Sequence, residues 1–260
     1  MIVETLRMAS WLVHRRNRWA HARELVAREF RTNRDSADER AKARAWAAER
    51  AVPVEGALAA IGLSEPSAAV PCFPDELASE GKQLAKRATC RMGGPGDLDL
   101  IYAATMLCGA RKVVETGVAY GWSSLAILAV LRGREGARLV SVDRPYVQLH
   151  SDPWVGVAVP DRLRTNWEII REPDRRGLEK AIARLNGRID LCHYDSDKTY
   201  WGRQYAYPLL WDALTPGGVF ISDDIQDNMA FAEFVETRGL DFAVTECEGK
   251  YVGITRKKAG

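Results

Sequence analysis

The first 50 residues contain neither proline nor glycine, so nothing in that stretch enforces a turn. The five cysteines (Cys72, Cys90, Cys108, Cys192 and Cys247) include no C-x-x-C pair. That excludes a disulfide framework and a zinc knuckle, and reduced thiols are the simplest reading. No uninterrupted apolar run approaches the roughly 18 residues of a membrane span. Glu4 and Arg7 come early, and no apolar stretch followed by a small-residue cleavage site is present, so no signal peptide is expected. A cytoplasmic location is the expectation. Net charge is nearly absent: 37 Lys+Arg stand against 35 Asp+Glu, a balance of +2. Nothing global therefore points to nucleic acid or an acidic polymer. Internal repeats and low-complexity tracts are missing too.

What is present is a chain of 260 residues, 47% hydrophobic and 28% charged. That suffices for one or two domains with their own core. The charge is uneven, because residues 1–50 hold 12 Lys/Arg and 7 Asp/Glu. In this stretch Ile2, Leu6, Ala9, Leu12, Val13, Trp19, Ala22, Val26 and Phe30 recur at near-helical spacing. Two helices are expected, broken near Thr32–Asp35, with Asp35 or Ser36 capping the second. The arginines of the first could lie on an anionic surface, but interspersed Glu4, Glu24 and Glu29 favour a helical cap or a contact between copies of the chain. A short helix follows over Val54–Ile61. Pro71-Cys72-Phe73-Pro74 is stiff and non-helical, which divides the chain into a helical extension, 1–74, and a main domain, 75–260.

Beyond Pro74 the pattern changes. Helices are expected at Glu76–Ala88 and Asp97–Cys108. Candidate strands then follow at Lys112–Glu115, Leu139–Val142, Trp167–Ile170, Ile189–Tyr194, Gly218–Ser222, Phe242–Thr245 and Tyr251–Thr255. Helices between them are Trp122–Leu131, Leu178–Leu185, Tyr200–Leu214 and Met229–Thr237. Such alternation implies right-handed βαβ units and an α/β, doubly wound, mostly parallel sheet. Only Glu246–Lys250 links the last two strands, which predicts an antiparallel hairpin there.

The first strand runs into Glu115-Thr116-Gly117-Val118-Ala119-Tyr120-Gly121-Trp122-Ser123. Glycine at this turn lets the backbone approach a ligand, and the following helix offers free N–H groups. The spacing is not G-x-G-x-x-G, so no pyrophosphate site is signalled. The second strand ends in Asp143, an acid suited to accept hydrogen bonds from a ribose diol. A nucleoside without obligatory phosphates fits this pair of features.

E-T-G-x-x-x-G-x-S, the V-D at Asp143 and Leu214-Thr215-Pro216-Gly217-Gly218 resemble the class I S-adenosylmethionine-dependent methyltransferases over about residues 90–260. The resemblance implies a seven-stranded Rossmann-like sheet with one antiparallel strand. It implies methionine contacts from Glu115, Gly117, Gly121 and Ser123, with Tyr120 in the same loop, and ribose contacts from Asp143. It also implies that Met92 and Gly93 cover the cofactor. The bland alternatives are a solvated strand end for Glu115 and an ordinary helix cap for Ser123.

Two more strands end in acid, at Asp195-Ser196-Asp197-Lys198 and at Asp223-Asp224. On adjacent strands these ends lie about 4.8 Å apart. Three unpaired carboxylates would repel one another, and a divalent cation relieves that cost. An all-oxygen set favours Mg²⁺, Ca²⁺ or Mn²⁺. The pattern resembles the metal-dependent catechol and caffeoyl-type O-methyltransferases and their sugar- and antibiotic-tailoring relatives. That resemblance implies metal ligands Asp195, Asp223 and Asp224, and Lys198 as base toward a hydroxylated small molecule. Lys198 could instead be solvated or pair with Asp197, and Asp223-Asp224 could be a cap and a surface acid. An N/D-P-P-Y/F motif is absent after the fourth strand, so nucleic-acid methylation is not expected.

Four further residues or groups have weaker signals. His193 reads as a hydrogen-bonded core histidine. His150, Tyr146 and Trp154 lie on a long link that packs as a surface loop or shapes a pocket. Tyr200, Trp201 and Tyr205 read as a buried helical face or an aromatic wall. Trp122 reads as an adenosine contact or a core residue.

Overall fold

The computed structural model describes residues 32–66, 68–145 and 151–258. The expected first helix, with its contact between copies of the chain, lies outside them, as do Tyr146 and His150.

The strands carry apolar residues on both sides, as in Val113-Val114, Leu139-Val140, Leu191-Cys192 and Val219-Phe220, all fully buried. A sheet buried on both faces needs a helical layer on each. Seven strands form it: β1 (Lys112–Thr116), β2 (Arg138–Val142), β3 (Trp167–Ile170), β4 (Ile189–Tyr194), β5 (Leu214–Ser222), β6 (Phe242–Cys247) and β7 (Lys250–Arg256). Their order is β3-β2-β1-β4-β5-β7-β6. Neighbours from β3 to β5 are parallel, and β7 runs antiparallel to both β5 and β6. The expected hairpin and single antiparallel strand are both present.

One layer contains α2 (Val54–Ala60), α3 (Asp75–Ala85), α4 (Leu98–Leu107) and α5 (Trp122–Leu131). The other contains α1 (Ala37–Ala48), α6 (Asp174–Arg184), α7 (Tyr200–Ala213) and α8 (Ala230–Thr237). Ser36 caps α1, its hydroxyl accepting from Glu39 N at 3.2 Å. Asp35 reaches across the fold instead, where its carboxylate accepts from Tyr200 N and Asn228 Nδ2, each at 2.7 Å. Asp97 caps α4 and Thr199 caps α7. Trp46 of α1 stacks on Phe242 of β6 at 5.4 Å, and Ala51 makes a bridge to Val244. Residues 36–61 thus share the core of the sheet.

β5 starts at Leu214, four residues before the expected Gly218, because a register irregularity in its pairing with β4 lets Pro216-Gly217 stay within the strand. The last strand pair also meets α8 closely. A Cβ on Gly253 of β7 would lie 2.3 Å from the Phe231 ring. Gly253→Ala should therefore destabilise the protein by about 1–3 kcal/mol, read as a lower urea midpoint. An unchanged midpoint would mean that α8 can move off the sheet without cost.

Candidate active site

Parallel register sets the site. Thr116, Tyr194 and Ser222 are paired across β1, β4 and β5. Asp195 N then donates to Thr116 O at 3.0 Å, and Asp223 N to Tyr194 O at 2.9 Å. The residues that follow each strand emerge side by side at the carboxyl edge, where open α/β sheets bind ligands.

The loop after β1 is held from two sides. Gly117 has φ +77°, and a Cβ there would lie 2.0 Å from the Asp195 carbonyl oxygen. Only glycine lets this loop lie against the exit of β4. Asp143 is buried, and its Oδ1 accepts from Val118 N at 3.0 Å. Arg171, just past β3, donates to the other oxygen of Asp143 and to Asp152. Tyr120 donates its hydroxyl to Cys90 O at 2.6 Å. A Cβ on Gly93 would sit 3.7 Å from Ala119 Cβ. The segment carrying half-buried Met92 and exposed Gly93 therefore passes beside the loop. Gly121 begins α5 from a left-handed backbone.

Glu115 is fully buried, and its carboxylate accepts from Ser123, Ser124 and Ser141 hydroxyls, each at 2.6 Å. This is not a solvated strand end. Ser123 is likewise spent on Glu115 rather than on capping α5. The pair fastens the helix start to β1 and β2.

Asp195, Asp223 and Asp224 converge as expected, with one carboxylate oxygen of each within 4.8 Å of the others. Burial pushes the Asp223 carboxyl up to about 6, with Asp195 and Asp224 adding to the rise. Burial also raises Asp195, against the pull of Lys198 and with the push of Asp224. For Asp224 burial is outweighed by Lys198 and Lys250, so this acid lies below the usual carboxylate range. Its backbone is left-handed at φ +50°, and its Oδ1 accepts from Gln226 Nε2 at 3.0 Å.

Lys198 pairs with Asp224 and lies 3.0 Å from Asp195. Burial opposes its charge, but the two aspartates outweigh it and hold the ammonium well above the usual lysine range. It is neither a free solvated residue nor a partner of Asp197. Lys250, unnoticed in the sequence, lies 3.4 Å from Asp224. Asp195 Oδ1 is buried and makes no hydrogen bond despite that ion pair. An all-oxygen donor set fits a hard divalent cation.

His193 is buried, and that burial chiefly pushes its imidazole below the usual histidine range. It is a core residue, but its Nδ1 has no hydrogen-bond partner, contrary to expectation. Trp201 is 41% exposed, so it leaves the expected buried face that Tyr200 joins. Trp154 donates to Thr89 at 3.1 Å, and Trp122 packs on the core.

Residues 114–225 match the family model described as a methyltransferase domain. No curated protein matches the chain significantly. Solved structures do. An O-methyltransferase from Bacillus cereus in complex with SAH is 17% identical, with TM-score 0.54, over 71% of this chain and 92% of that one. SAH-bound Podospora anserina methyltransferase PaMTH1 is 14% identical, with TM-score 0.53, over 73% and 90%. A methyltransferase from Geobacter sulfurreducens is 14% identical, with TM-score 0.51, over 72% and 91%. The domain match runs from within β1 past the end of β5, along the carboxyl edge that carries Asp143, Asp195 and Asp223, and the chain shares the fold of these methyltransferases.

Proposed function

We propose that the protein moves the methyl group of S-adenosylmethionine to a hydroxyl of a small molecule, with a divalent cation held by Asp195, Asp223 and Asp224. The observation that carries this reading is the meeting of three buried or half-buried carboxylates beside the Gly117 loop. The O-methyltransferase from Bacillus cereus with the same fold supports oxygen as acceptor. A sugar, a polyketide-like scaffold or a catechol fits such a site. No nucleic-acid partner is expected.

Asp143 would take the ribose hydroxyls, with Arg171 and Val118 N fixing the carboxylate's direction. Gly117 and Gly121 would let the backbone approach the methionine part, and Met92, Gly93 and Tyr120 would wall it. Glu115 would act through Ser123, holding the start of α5. A bound divalent cation would supply a lower pKa for the acceptor hydroxyl. Lys198 is the base at hand, and it can accept a proton only when Asp195 and Asp224 are engaged elsewhere. Alignment of sulfonium and oxygen would supply much of the rate, since positioning is worth about 7–11 kcal/mol. The extension 1–74 would cover the domain 75–260 through residues 36–61, which pack into the core of its sheet. Among the described residues no helix is long and apolar enough to cross a membrane.

The Lys198 pairing favours a second reading, in which lysine replaces the metal and transfer is metal-independent. Assays on a panel of catechols and hydroxylated sugars separate the two. Activity lost with EDTA and restored by Mg²⁺ supports the first; full activity after exhaustive chelation removes it. Calorimetry with S-adenosylmethionine tests the cofactor site. Asp143→Ala should weaken binding about tenfold to 100-fold, the worth of one or two charge-assisted hydrogen bonds. Unchanged affinity would overturn the ribose assignment.

A further inference from the structure

Arg203 is among the largest fully buried side chains of the protein, with 0% exposure. Burying a guanidinium costs several kcal/mol unless its donors are met. Here, among the described residues, no carboxylate accepts a hydrogen bond from it. Its Nη2 donates to the main-chain carbonyls of Asp223 at 3.1 Å and Asp224 at 2.7 Å. Its Nη1 donates to Asn228 Oδ1 at 3.3 Å, and Nε has no partner.

In extended chain consecutive carbonyls point to opposite sides, so one nitrogen cannot take both. The left-handed backbone at Asp224, φ +50° and ψ +40°, turns them the same way. Such backbone is unfavourable for a residue with a side chain. Arg203 supplies the compensating bonds. Asn228 completes the brace: its Nδ2 donates to Lys198 O at 2.9 Å and to Asp35 at 2.7 Å. One rigid unit therefore grips the Asp223-Asp224 turn and the Lys198 loop together.

We infer that Arg203 is a positioning residue for the acidic cluster, holding the Asp223-Asp224 turn so that both carboxylates face Asp195. The inference deepens the metal-assisted reading and rests on it for its functional consequence. Arg203 is fully buried, and its donors reach the main-chain carbonyls of Asp223 and Asp224 and the Asn228 side chain rather than the carboxylates of the cluster.

The test compares wild type with Arg203→Met and Arg203→Lys. Three quantities are read: Mn²⁺ binding by calorimetry with the metal alone, S-adenosylmethionine binding, and hydrogen exchange of the amides of residues 224–228. In Arg203→Met, Mn²⁺ affinity should fall about 10–100-fold, as for other supports of metal ligands. Exchange at residues 224–228 should rise by at least about tenfold, while S-adenosylmethionine affinity stays within about threefold. Arg203→Lys, which keeps the charge but not the fork, should fall between. Unchanged exchange in folded Arg203→Met overturns the inference. So does unfolding of both variants, which would make Arg203 a support of the whole core. If wild type binds no Mn²⁺ while exchange still rises in Arg203→Met, the metal reading fails and the positioning role stands.

Discussion

Gly117→Ala should remove cofactor binding almost completely. The added Cβ would lie 2.0 Å from the Asp195 carbonyl oxygen, 2.7 Å from its carbon and 3.3 Å from Ser196 N. These are backbone atoms of a sheet exit, not the end of a flexible side chain, so the loop must yield. Moving it breaks the Gly117 N to Val142 O bond of 2.8 Å and the Val118 N to Asp143 bond of 3.0 Å. Both link the loop to β2, whose end carries the expected ribose acceptor. The φ of +77° adds a conformational cost for alanine of about 1 kcal/mol or more. Destabilisation of about 3 kcal/mol or more follows, with S-adenosylmethionine affinity down at least about 100-fold. Ala119→Gly is the control, since Ala119 already has φ +48° and glycine relieves rather than creates strain there. A folded Gly117→Ala protein with wild-type cofactor affinity would place the nucleoside elsewhere.

Much of this edge could be read from the chain, because its signals are local. β3, β4 and α5 have the bounds that their apolar runs predict, and the hairpin follows from a short glycine-containing link. Asp143, Asp195 and Asp223 each end a strand, so parallel pairing alone brings them to one edge. What the sequence hides is non-local. Glu115 reads as a ligand contact, yet Ser124 of α5 and Ser141 of β2 reach it only once those elements pack. Lys198 reads as a candidate base, yet the partner that holds its proton, Asp224, is 26 residues away. Arg203 did leave a trace. It occupies an apolar helical stripe with Ala206, Tyr207 and Leu210, all buried. A charge at such a position must find buried acceptors, which is where the carbonyls of Asp223 and Asp224 come in.

The second large effect concerns the charge of the cluster, and stability and catalysis should move in opposite directions. Asp223→Asn keeps the shape and removes one negative charge. Asp223 is 7% exposed, and burial, Asp195 and Asp224 together push its carboxyl up from 3.8 to about 6. The folded metal-free protein therefore holds that proton more tightly than the unfolded chain, and loses stability as pH rises from 3.8 to about 6. At pH 8 the ionised Asp223 is a full cost to the fold. Asparagine removes the cost, so the metal-free variant should melt at a higher temperature than wild type. Methyl transfer should instead fall about 100-fold to 1,000-fold, because the proposed cation site would lose one of its three carboxylate charges. Half-maximal activity should also need more Mg²⁺, and excess Mg²⁺ should restore part of the rate. A purely structural acid predicts the reverse pattern: a lower melting temperature with activity per folded molecule unchanged. A variant that is both more stable and fully active without added metal would leave the three aspartates no part in the chemistry.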